Sequence, residues 1–272
     1  MGSRLYGKVA IITGAGSGLG CATAHCMAAE GATVVIADLN LANARKVANE
    51  IKAEKGKAMA IKTDVTKSAH VKRMVDRVLR RFGQIDILVN NAGTGGKPDG
   101  KSKLGPPITN ITDEDWDFTF EVNMKGMFMC CKAVVDHMKS RKYGKIINIS
   151  SVAGKQPSVL IPAYSASKAA VISFTQVLSN ELAPQGINVN AICPGIIWTP
   201  MWQDFARRQT EQNPRLKGMD PKTAFNAIVT QGAVKAEQLP EDIGMLAVFL
   251  ASEESRRITG EAISVNGPTP IG

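Results

Sequence analysis

The stretch Val9-Ala-Ile-Ile-Thr-Gly-Ala-Gly-Ser-Gly-Leu-Gly20 joins a short apolar run to a glycine-rich turn and the start of a helical segment. Glycines at such a junction permit a tight turn and let backbone N–H groups approach a pyrophosphate, which the helix N-terminus favours electrostatically. Asp38 ends the next apolar run, about 20 residues further on, where an acid can bind ribose hydroxyls. Together the two features predict a dinucleotide site rather than a merely flexible turn.

Short apolar runs alternate with longer helical segments along the rest of the chain. This alternation predicts an α/β protein with a parallel sheet that is covered on both faces, so each strand should be apolar on both of its own faces. No linker and no internal repeat divides the sequence, and residues 1–272 are therefore expected to form a single domain. The predicted strands are 9–13, 33–37, 58–62, 85–89, 144–150, 188–192 and 262–265, and the predicted helices are 18–30, 41–54, 68–82, 112–140 and 163–183.

Two segments interrupt the alternation, at about 94–107 and 196–220. The first is rich in Gly, Pro and Lys, and the second follows Pro194-Gly195 with two Trp and several charged residues. Long connections inside a compact domain are usually functional, and both follow the carboxyl end of a predicted strand, where open α/β sheets bind ligands. Both segments are therefore expected to be substrate loops.

Composition excludes several classes of function. The net charge of +9 comes from Lys and Arg scattered over helical segments such as 46–57 and 72–81, without the single basic block or interleaved aromatics of a nucleic-acid site. No apolar stretch is long enough for a membrane span, and residues 1–6 lack the apolar run of a signal peptide. The five cysteines form no Cys-x-x-Cys pair, so we expect buried thiols, no metal site and a cytoplasmic protein.

A second chemical signal lies at Tyr164-Ser-Ala-Ser-Lys168. A spacing of four residues places the phenol and the ammonium on one face of a helix. Such a pair by itself usually marks only a solvated helix face. Ser151, however, stands just past the end of the preceding strand, so a hydroxyl, the Tyr/Lys helix and the dinucleotide turn would share one site.

In combination these motifs resemble the short-chain dehydrogenase/reductase family, over nearly the whole chain. The resemblance implies a doubly wound, seven-stranded Rossmann sheet and assembly as a homotetramer in which helices near 112–140 and 163–183 pair between subunits. The loop 94–107, which leads to the region of Pro106 and Asp113, is longer than is usual in the family. The substrate entrance is therefore expected to differ from that of typical members. The acid Asp64 matches the position that meets the adenine ring in the family. The other motif residues are Gly14, Gly18 and Gly20, then Asn90-Asn91-Ala92-Gly93, Asn123, Ser151, Tyr164, Lys168 and Pro194-Gly195.

The resemblance also implies a role for each of four catalytic residues, the tetrad Asn123, Ser151, Tyr164 and Lys168. Tyr164 would be the acid/base, and Ser151 would stabilise the reacting oxygen. Because a free phenol has a pKa of about 10, positive charge from Lys168 is needed to stabilise the phenolate. Lys168 would also hold the nicotinamide ribose, and Asn123 would support a water that relays the proton. The expected activity is interconversion of a secondary alcohol and a ketone by hydride transfer.

Three alternatives to that activity differ from it in their sequence features. An enoyl-thioester reductase of this fold would separate its Tyr and Lys by six residues rather than three. The extended branch of the superfamily, with its epimerases and dehydratases, shows a different glycine spacing and a longer chain. A catalytically silent dinucleotide-binding regulator usually loses part of the tetrad, whereas this chain keeps all four residues.

The cofactor is expected to be NAD rather than NADP. Asp38 would bind both ribose hydroxyls and repel a 2′-phosphate, and neither Ser17 nor Leu39 offers the cation that a phosphate needs. A competing interpretation makes Asp38 only the N-cap of the helix that starts at Leu41. The candidate dinucleotide-binding residues are Gly14, Ser17, Gly18, Leu19, Gly20, Asp38, Leu39, Asp64, Val65, Asn91, Ala92, Gly93, Tyr164, Lys168, Pro194, Gly195, Ile197 and Thr199.

The substrate is expected to have substantial apolar character. Trp198, Met201 and Trp202 stand where the mobile substrate loop of the family begins, and with Ser151 and Tyr164 they are the candidate substrate residues. The other interpretation is that these large side chains simply pack against the next helix or a second subunit. Three lysines of the first loop could attract an anionic group, although solvated loop lysines are the more ordinary interpretation; they are Lys97, Lys101 and Lys103.

Overall fold

The computed structural model describes residues 3–97, 102–105, 107–230 and 236–267. Its strands are β1 Val9–Thr13, β2 Thr33–Asp38, β3 Lys57–Lys62, β4 Ile87–Asn90, β5 Gly144–Ile149, β6 Ile187–Pro194 and β7 Ala262–Val265. Its α-helices are α1 Gly18–Ala29, α2 Leu41–Ala53, α3 Ser68–Phe82, α4 Asp113–Phe120, α5 Met127–Arg141, α6 Pro162–Leu182, α7 Pro200–Gln212, α8 Pro221–Val229 and α9 Pro240–Ala251.

All seven strands are parallel and form one sheet in the order β3-β2-β1-β4-β5-β6-β7. The chain moves outward from β1 to β3 and then returns to place β4 on the other side of β1. The carboxyl ends of β1 and β4 therefore flank the point where the strand order reverses, which is where such sheets form a ligand crevice. The predicted doubly wound, seven-stranded Rossmann sheet is confirmed.

The two faces of the sheet support separate cores. In β1, Ala10 and Ile12 pack on one face, with helices α1, α2 and α9, and Val9 and Ile11 pack on the other, with α3, α5 and α6. Successive side chains of a strand point to opposite faces, so a strand buried on both sides must be apolar throughout. Burial on both faces agrees with the position of β1 inside the sheet, between β2 and β4, and the glycine turn follows at its carboxyl end.

Two edge strands differ from the prediction of strands that are apolar on both faces. Lys57 and Lys62 are exposed at the two ends of β3, and every residue of β7 is only partly buried. Both strands lie at an edge of the sheet, where a second layer of side chains covers them incompletely. Strand β4 begins at Ile87, two residues later than predicted. Just before it, the Asp86 carboxylate accepts a hydrogen bond from the Val9 amide at 2.7 Å.

The predicted helix 112–140 is divided by a π-helix at Glu121–Gly126. Gly126 lies so close to the loop after β3 that an added Cβ would be 2.7 Å from Val65 Cγ2. The wider turn keeps α4 and α5 in one continuous helical path while it accommodates an extra residue. Within the described residues, no helix combines the length and the apolar composition needed to cross a bilayer.

Candidate active site

The glycine turn after β1 is fixed by the segment that follows β4. The Asn91 side-chain amide donates to the carbonyl oxygens of Thr13 and Gly14, both at 2.9 Å. Gly14 has a φ of +62°, and a Cβ there would be 2.8 Å from Ala92 Cα. Because the turn is held by these contacts, it forms a cradle for a phosphate rather than a flexible loop.

Gly20 serves packing rather than the cradle itself. A Cβ at this position would overlap the Asn91 side-chain amide, and Gly20 does not line the cavity described below. The glycines of this motif therefore serve two purposes, bordering the cavity and allowing close packing. Gly14 and Gly18 border the cavity. Gly20 lets the start of α1 approach the Asn91 side-chain amide closely.

Asp38 is held against the glycine turn. Its Oδ2 accepts a hydrogen bond from Gly16 N at 2.8 Å, and its Oδ1 accepts one from Asn40 N at 2.8 Å. The competing N-cap interpretation of Asp38 is wrong, since Asn40 caps α2 by accepting from the amides of Ala42 and Asn43. A carboxylate at the end of β2, next to the cradle, is placed to meet the hydroxyls of a dinucleotide ribose.

Asp64 follows β3 in the same relation to the cavity. Its Oδ1 accepts hydrogen bonds from Thr66 N at 2.9 Å and from Thr66 Oγ1 at 2.7 Å. These bonds fix the loop, so that Asp64 and Val65 border the cavity. The prediction that this acid meets the adenine end of a dinucleotide is compatible with its position.

Ser151, Tyr164 and Lys168 meet at one wall of the cavity beyond the end of β5. Lys168 Nζ donates to the Ile149 carbonyl at 2.8 Å and lies 5.6 Å from the centre of the Tyr164 ring. Ser151 Oγ accepts from Ala153 N at 3.1 Å, which fixes the hydroxyl at the tip of β5. The spacing of Tyr and Lys on α6 and the serine on the strand tip therefore converge on one point.

Burial shifts the proton affinities of this group in opposite directions. Removal from water raises the pKa of Tyr164, and a hydrogen bond with Ser151 lowers it. Removal from water lowers the pKa of Lys168 from 10.5 to about 8. Near neutral pH the ammonium is still mostly protonated, so it can stabilise a phenolate at Tyr164.

The buried charge of Lys168 predicts a pH-dependent stability difference. The folded-state pKa lies below the unfolded one, so the cost of burying the ammonium is absent above pH 10.5 and grows as the pH falls towards about 8. We expect the unfolding free energy of Lys168→Met to gain about 2 kcal/mol on the wild type between pH 10 and pH 7. Urea titrations of both proteins across that range measure it, and parallel pH profiles would contradict it.

Asn123 lies in the π-helix and is 2% exposed. Its Oδ1 accepts from Thr94 N at 2.7 Å, and its Nδ2 donates to Thr94 O and Ser167 Oγ at 2.9 and 3.0 Å. Asn123 does not line the cavity, and its amide already joins the first loop to α6. Its position is that of a positioning residue, and the predicted water relay stays a prediction.

One cavity of about 810 Å³ runs from the glycine turn to the start of α7. Apart from Gly20, every candidate dinucleotide-binding residue lines it, as do Ser151, Met201 and Trp202. The lining of the described chain contains two basic side chains, Lys168 on α6 and Arg208 on α7. A glycine turn that borders the cavity, with the Asp38 carboxylate beside it, fits a dinucleotide along this length.

The far end of the cavity is largely apolar. Trp202 stacks edge-on against Phe205, with ring centres 5.0 Å apart. Trp198 does not line the cavity; its ring packs on Phe225 at 4.8 Å and lies under the Lys222 ammonium at 4.6 Å. For Trp198 the structure therefore favours the packing interpretation. Other large apolar residues of the cavity lining include Phe118, Val122, Leu160, Ile161, Ile196, Met201 and Ile228.

The two predicted substrate loops meet at α7. Leu104 N donates to Gln212 Oε1 at 2.9 Å, and Gln212 Nε2 donates to Ser102 O at 3.4 Å. Pro106 and Lys101 of the first loop lie outside the described residues. The described part of the first loop is thus attached to the end of the helix that carries Met201 and Trp202.

Sequence reasoning missed Arg208. It lies on α7 with Met201 and Phe205, and all three line the cavity. The spacing i, i+4, i+7 is the signal that could have found it, since it places the three side chains on one helix face.

The described cysteines are free thiols, three of them buried and Cys21 and Cys26 partly so. Cys21, His25 and Glu50 bring potential metal-ligand atoms within 4.8 Å of one another on α1 and α2, and none of the three lines the cavity. Burial raises the pKa of the Cys21 thiol, which disfavours the thiolate that metals bind. The expectation that the protein has no metal site stays a prediction.

Comparisons with known proteins agree with this geometry. A family model described as short chain dehydrogenase matches residues 8–210. Galactitol 2-dehydrogenase of Agrobacterium fabrum is 40% identical over 269 residues, covering 97% of this chain and 98% of that protein. The structure of NAD+-bound xylitol dehydrogenase has a TM-score of 0.89 and 31% identity, covering 97% of this chain and all of that one. An actinorhodin polyketide ketoreductase variant with NADPH has a TM-score of 0.88 and 30% identity, covering 98% of both chains.

Proposed function

The chain belongs to the short-chain dehydrogenase family and is an oxidoreductase, and from that premise we propose that it interconverts a secondary alcohol and a ketone with NAD(H). The observation that carries the proposal is the convergence of Ser151, Tyr164 and Lys168 on the wall of a cavity that also contains the glycine cradle. A hydroxyl, a phenol and a buried ammonium suit proton transfer at an oxygen atom. No described feature of the cavity calls for another kind of chemistry.

In the proposed mechanism each side chain handles the substrate oxygen or its proton. The bound dinucleotide supplies hydride transfer at its nicotinamide ring. Tyr164 removes the hydroxyl proton during oxidation and returns it during reduction, as a general acid/base. Ser151 donates a hydrogen bond to the reacting oxygen. Lys168 stabilises the phenolate and is placed to hold the nicotinamide ribose, while Asn123 supports the proton relay by fixing Thr94 and Ser167.

Preference for NAD is supported by the charges around the adenosine end. Asp38 is the carboxylate that the ribose would meet, and Leu39 beside it is 63% exposed and uncharged. The basic residues of the described lining are Lys168 on α6 and Arg208 on α7, and neither belongs to the segments that carry Asp38 and the glycine turn. Relatives of this fold hold NAD+ in one structure and NADPH in another, so the preference rests on this chain's own side chains.

The proposed substrate is a secondary alcohol or ketone with a substantial apolar part. Support comes from the Trp202 and Phe205 rings and the aliphatic side chains around them. Polyol dehydrogenases occur among the relatives, and free polyols are therefore the comparison that matters.

A cofactor-coupled absorbance screen in both directions tests the function. Cyclic and aryl-substituted ketones and alcohols are expected to turn over with NAD(H), at higher kcat/KM than free polyols. A regulator that binds the dinucleotide would show binding but no turnover with any member of a broad panel. Turnover confined to polyols would overturn the apolar substrate and leave the dehydrogenase proposal in place.

The proposal includes a cytoplasmic homotetramer. Phe128 on α5 and Val177 on α6 are 42% and 61% exposed, on the helices that the family resemblance pairs between subunits. Free buried thiols such as Cys130 and Cys193 suit a reducing compartment. Sedimentation of the protein as a monomer would contradict the assembly.

A further inference from the structure

Arg208 is a buried cation with an incomplete set of partners. The residue is 3% exposed. Its Nε lies 2.9 Å from Asp204 Oδ2, but at an angle that makes no hydrogen bond. Its Nη1 is buried and has no hydrogen-bond partner. A buried guanidinium normally satisfies its donors, because removing a charged group from water is costly.

Asp204 compensates this charge only in part. The same carboxylate pairs with Arg207 at 2.7 Å, and its side chain is 46% exposed. Arg207 in turn pairs with Glu211 at 2.8 Å. Among the ion pairs of the described residues, Asp204 is the one partner of Arg208, so the buried charge shares a half-exposed carboxylate with a surface arginine. A buried guanidinium that shares its one carboxylate partner in this way is stabilised by an additional anionic partner.

The guanidinium is placed beside the reacting end of the cavity. It packs on the glycines of the first loop, so that a Cβ at Gly95 or Gly96 would lie 4.0 and 3.7 Å from its Nη2 and Nη1. Arg208 and Tyr164 both line the main cavity of about 810 Å³. The two residues also line the same smaller cavity of about 30 Å³, which places Arg208 and Tyr164 near each other.

A smaller cavity of about 30 Å³ is lined by Arg208 and Tyr164 as well. It has room for about one water molecule. Asp115 lines it, with its Oδ1 accepting from Ser102 Oγ at 2.7 Å, so an anion would meet a like charge there. Lys103 also borders this smaller space rather than the main cavity. Nη1 lies near Gly96, which lines only the smaller cavity, whereas Nη2 lies near Gly95, which lines both cavities. A carboxylate in the main cavity would therefore meet the guanidinium from its Nη2 side.

We propose that Arg208 binds a carboxylate of the substrate, so that the enzyme acts on a hydroxy acid or oxo acid. This inference rests on the proposed dehydrogenase function and narrows its substrate class. The planar guanidinium matches the two oxygens of a carboxylate. The acid group anchors the ligand at Arg208, the reacting carbon lies at Tyr164, and the apolar part contacts Trp202 and Phe205. Arg208 is a specificity residue in this arrangement and takes no part in proton transfer.

Equilibrium binding of unreactive acids tests the contact without relying on turnover. Calorimetry would compare acetate, pentanoate and 4-phenylbutanoate with their amides, on the protein with and without NAD+. We expect at least one acid to bind about tenfold more tightly than its amide, as for a hydrogen bond to a charged group. An acid-to-amide ratio near one for every pair would overturn the proposal.

Variants identify the residue responsible. In Arg208→Gln the ratio is expected to fall to about one, with an intermediate value in Arg208→Lys, which keeps the charge and loses the fork. Arg207→Gln is the matched control, because it removes a neighbouring exposed charge from the same ion-pair network. Retention of the ratio in Arg208→Gln, or equal loss in Arg207→Gln, would sink the assignment. Unchanged affinity for NAD+ reports that each variant is folded.

Turnover separates failure of this inference from failure of the proposed function. The substrates are 4-oxopentanoate and 4-oxo-4-phenylbutanoate, each with its methyl ester. The acids are expected to exceed the esters in kcat/KM by about tenfold or more, chiefly through KM. Equal turnover of acids and esters would overturn the carboxylate site while supporting a dehydrogenase. Absence of turnover with every alcohol and ketone would instead reject the proposed function, and the binding ratios would still decide the role of Arg208.

Discussion

Tyr164→Phe is expected to lower kcat by at least about 10²-fold while the Kd for NAD+ changes little. The substitution removes one oxygen atom from the cavity wall and keeps the ring that packs there. That oxygen is the group proposed to carry the proton, and the buried Lys168 ammonium lies close enough to stabilise its phenolate. Steady-state kinetics, with dinucleotide titration of the same preparation, measures both quantities.

Tyr143→Phe is the matched control for this change. The Tyr143 hydroxyl donates to Glu253 at 2.9 Å and does not line the cavity, so its loss removes a hydrogen bond without touching the site. Its kcat is expected to stay within about twofold of the wild type, as for a change away from reacting atoms. Retention of more than half the activity by Tyr164→Phe, with chemistry rate-limiting, would show that the acid/base lies elsewhere.

Ser151 and Tyr164 are expected to behave as one unit. The hydrogen bond between them makes the environment of each hydroxyl dependent on the other. Ser151→Ala alone should slow turnover, but in the Tyr164→Phe background it should add much less than its separate effect. Fully multiplicative losses would indicate that the two residues act in separate steps.

Selectivity for NAD over NADP is expected to be roughly 10²-fold or more in kcat/KM, because a 2′-phosphate beside Asp38 places like charges together. The carboxylate cannot easily turn away, since Gly16 N and Asn40 N hold its two oxygens. Changing Asp38→Asn with Leu39→Arg should move the preference towards NADP. The asparagine retains an oxygen for the Gly16 amide, and the arginine supplies a phosphate partner.

The single variants separate repulsion from attraction. Asp38→Asn alone should bring the two efficiencies closer together, because it weakens the binding of the NAD ribose hydroxyls and relieves the repulsion of the NADP 2′-phosphate. Leu39→Arg alone should improve the use of NADP without abolishing the use of NAD. Both are compared with Asn40→Ala, which removes the cap of α2 and leaves the charge at Asp38. A wild-type protein that uses NADP more efficiently would reject the preference.

Local patterns predicted the parts of the site that depend on nearby residues. The glycine turn, Asp38 and the Tyr164/Lys168 pair each follow from spacing along one strand end or one helix. Trp198 and Trp202 could not be separated in this way, since a loop after Pro194 does not reveal which side chain faces the cavity. The edge position of β3 depends on the order of strands in space, which the order along the chain does not determine.

Arg208 shows a different limit of sequence reasoning. Its helix face could have been recognised from Met201 and Phe205, but its importance comes from burial beside Gly95 and Gly96, more than 100 positions earlier in the chain. The lysines of the first loop are candidate partners for an anion because they cluster in the sequence. Burial and incomplete pairing, which only the folded chain reveals, distinguish the arginine from them.

The π-helix at Glu121–Gly126 has a consequence for how this chain can change in length. The π-helix adds one residue to the otherwise continuous helical path from α4 to α5. That extra residue sets which face of α5 points towards the sheet. Deleting a residue there would rotate all of α5 by about 100° relative to α4, which would turn Cys130, Val134 and Met138 away from the sheet. Insertions and deletions that preserve this core are therefore confined to the surface loops, and the segment from α4 to α5 must keep its length.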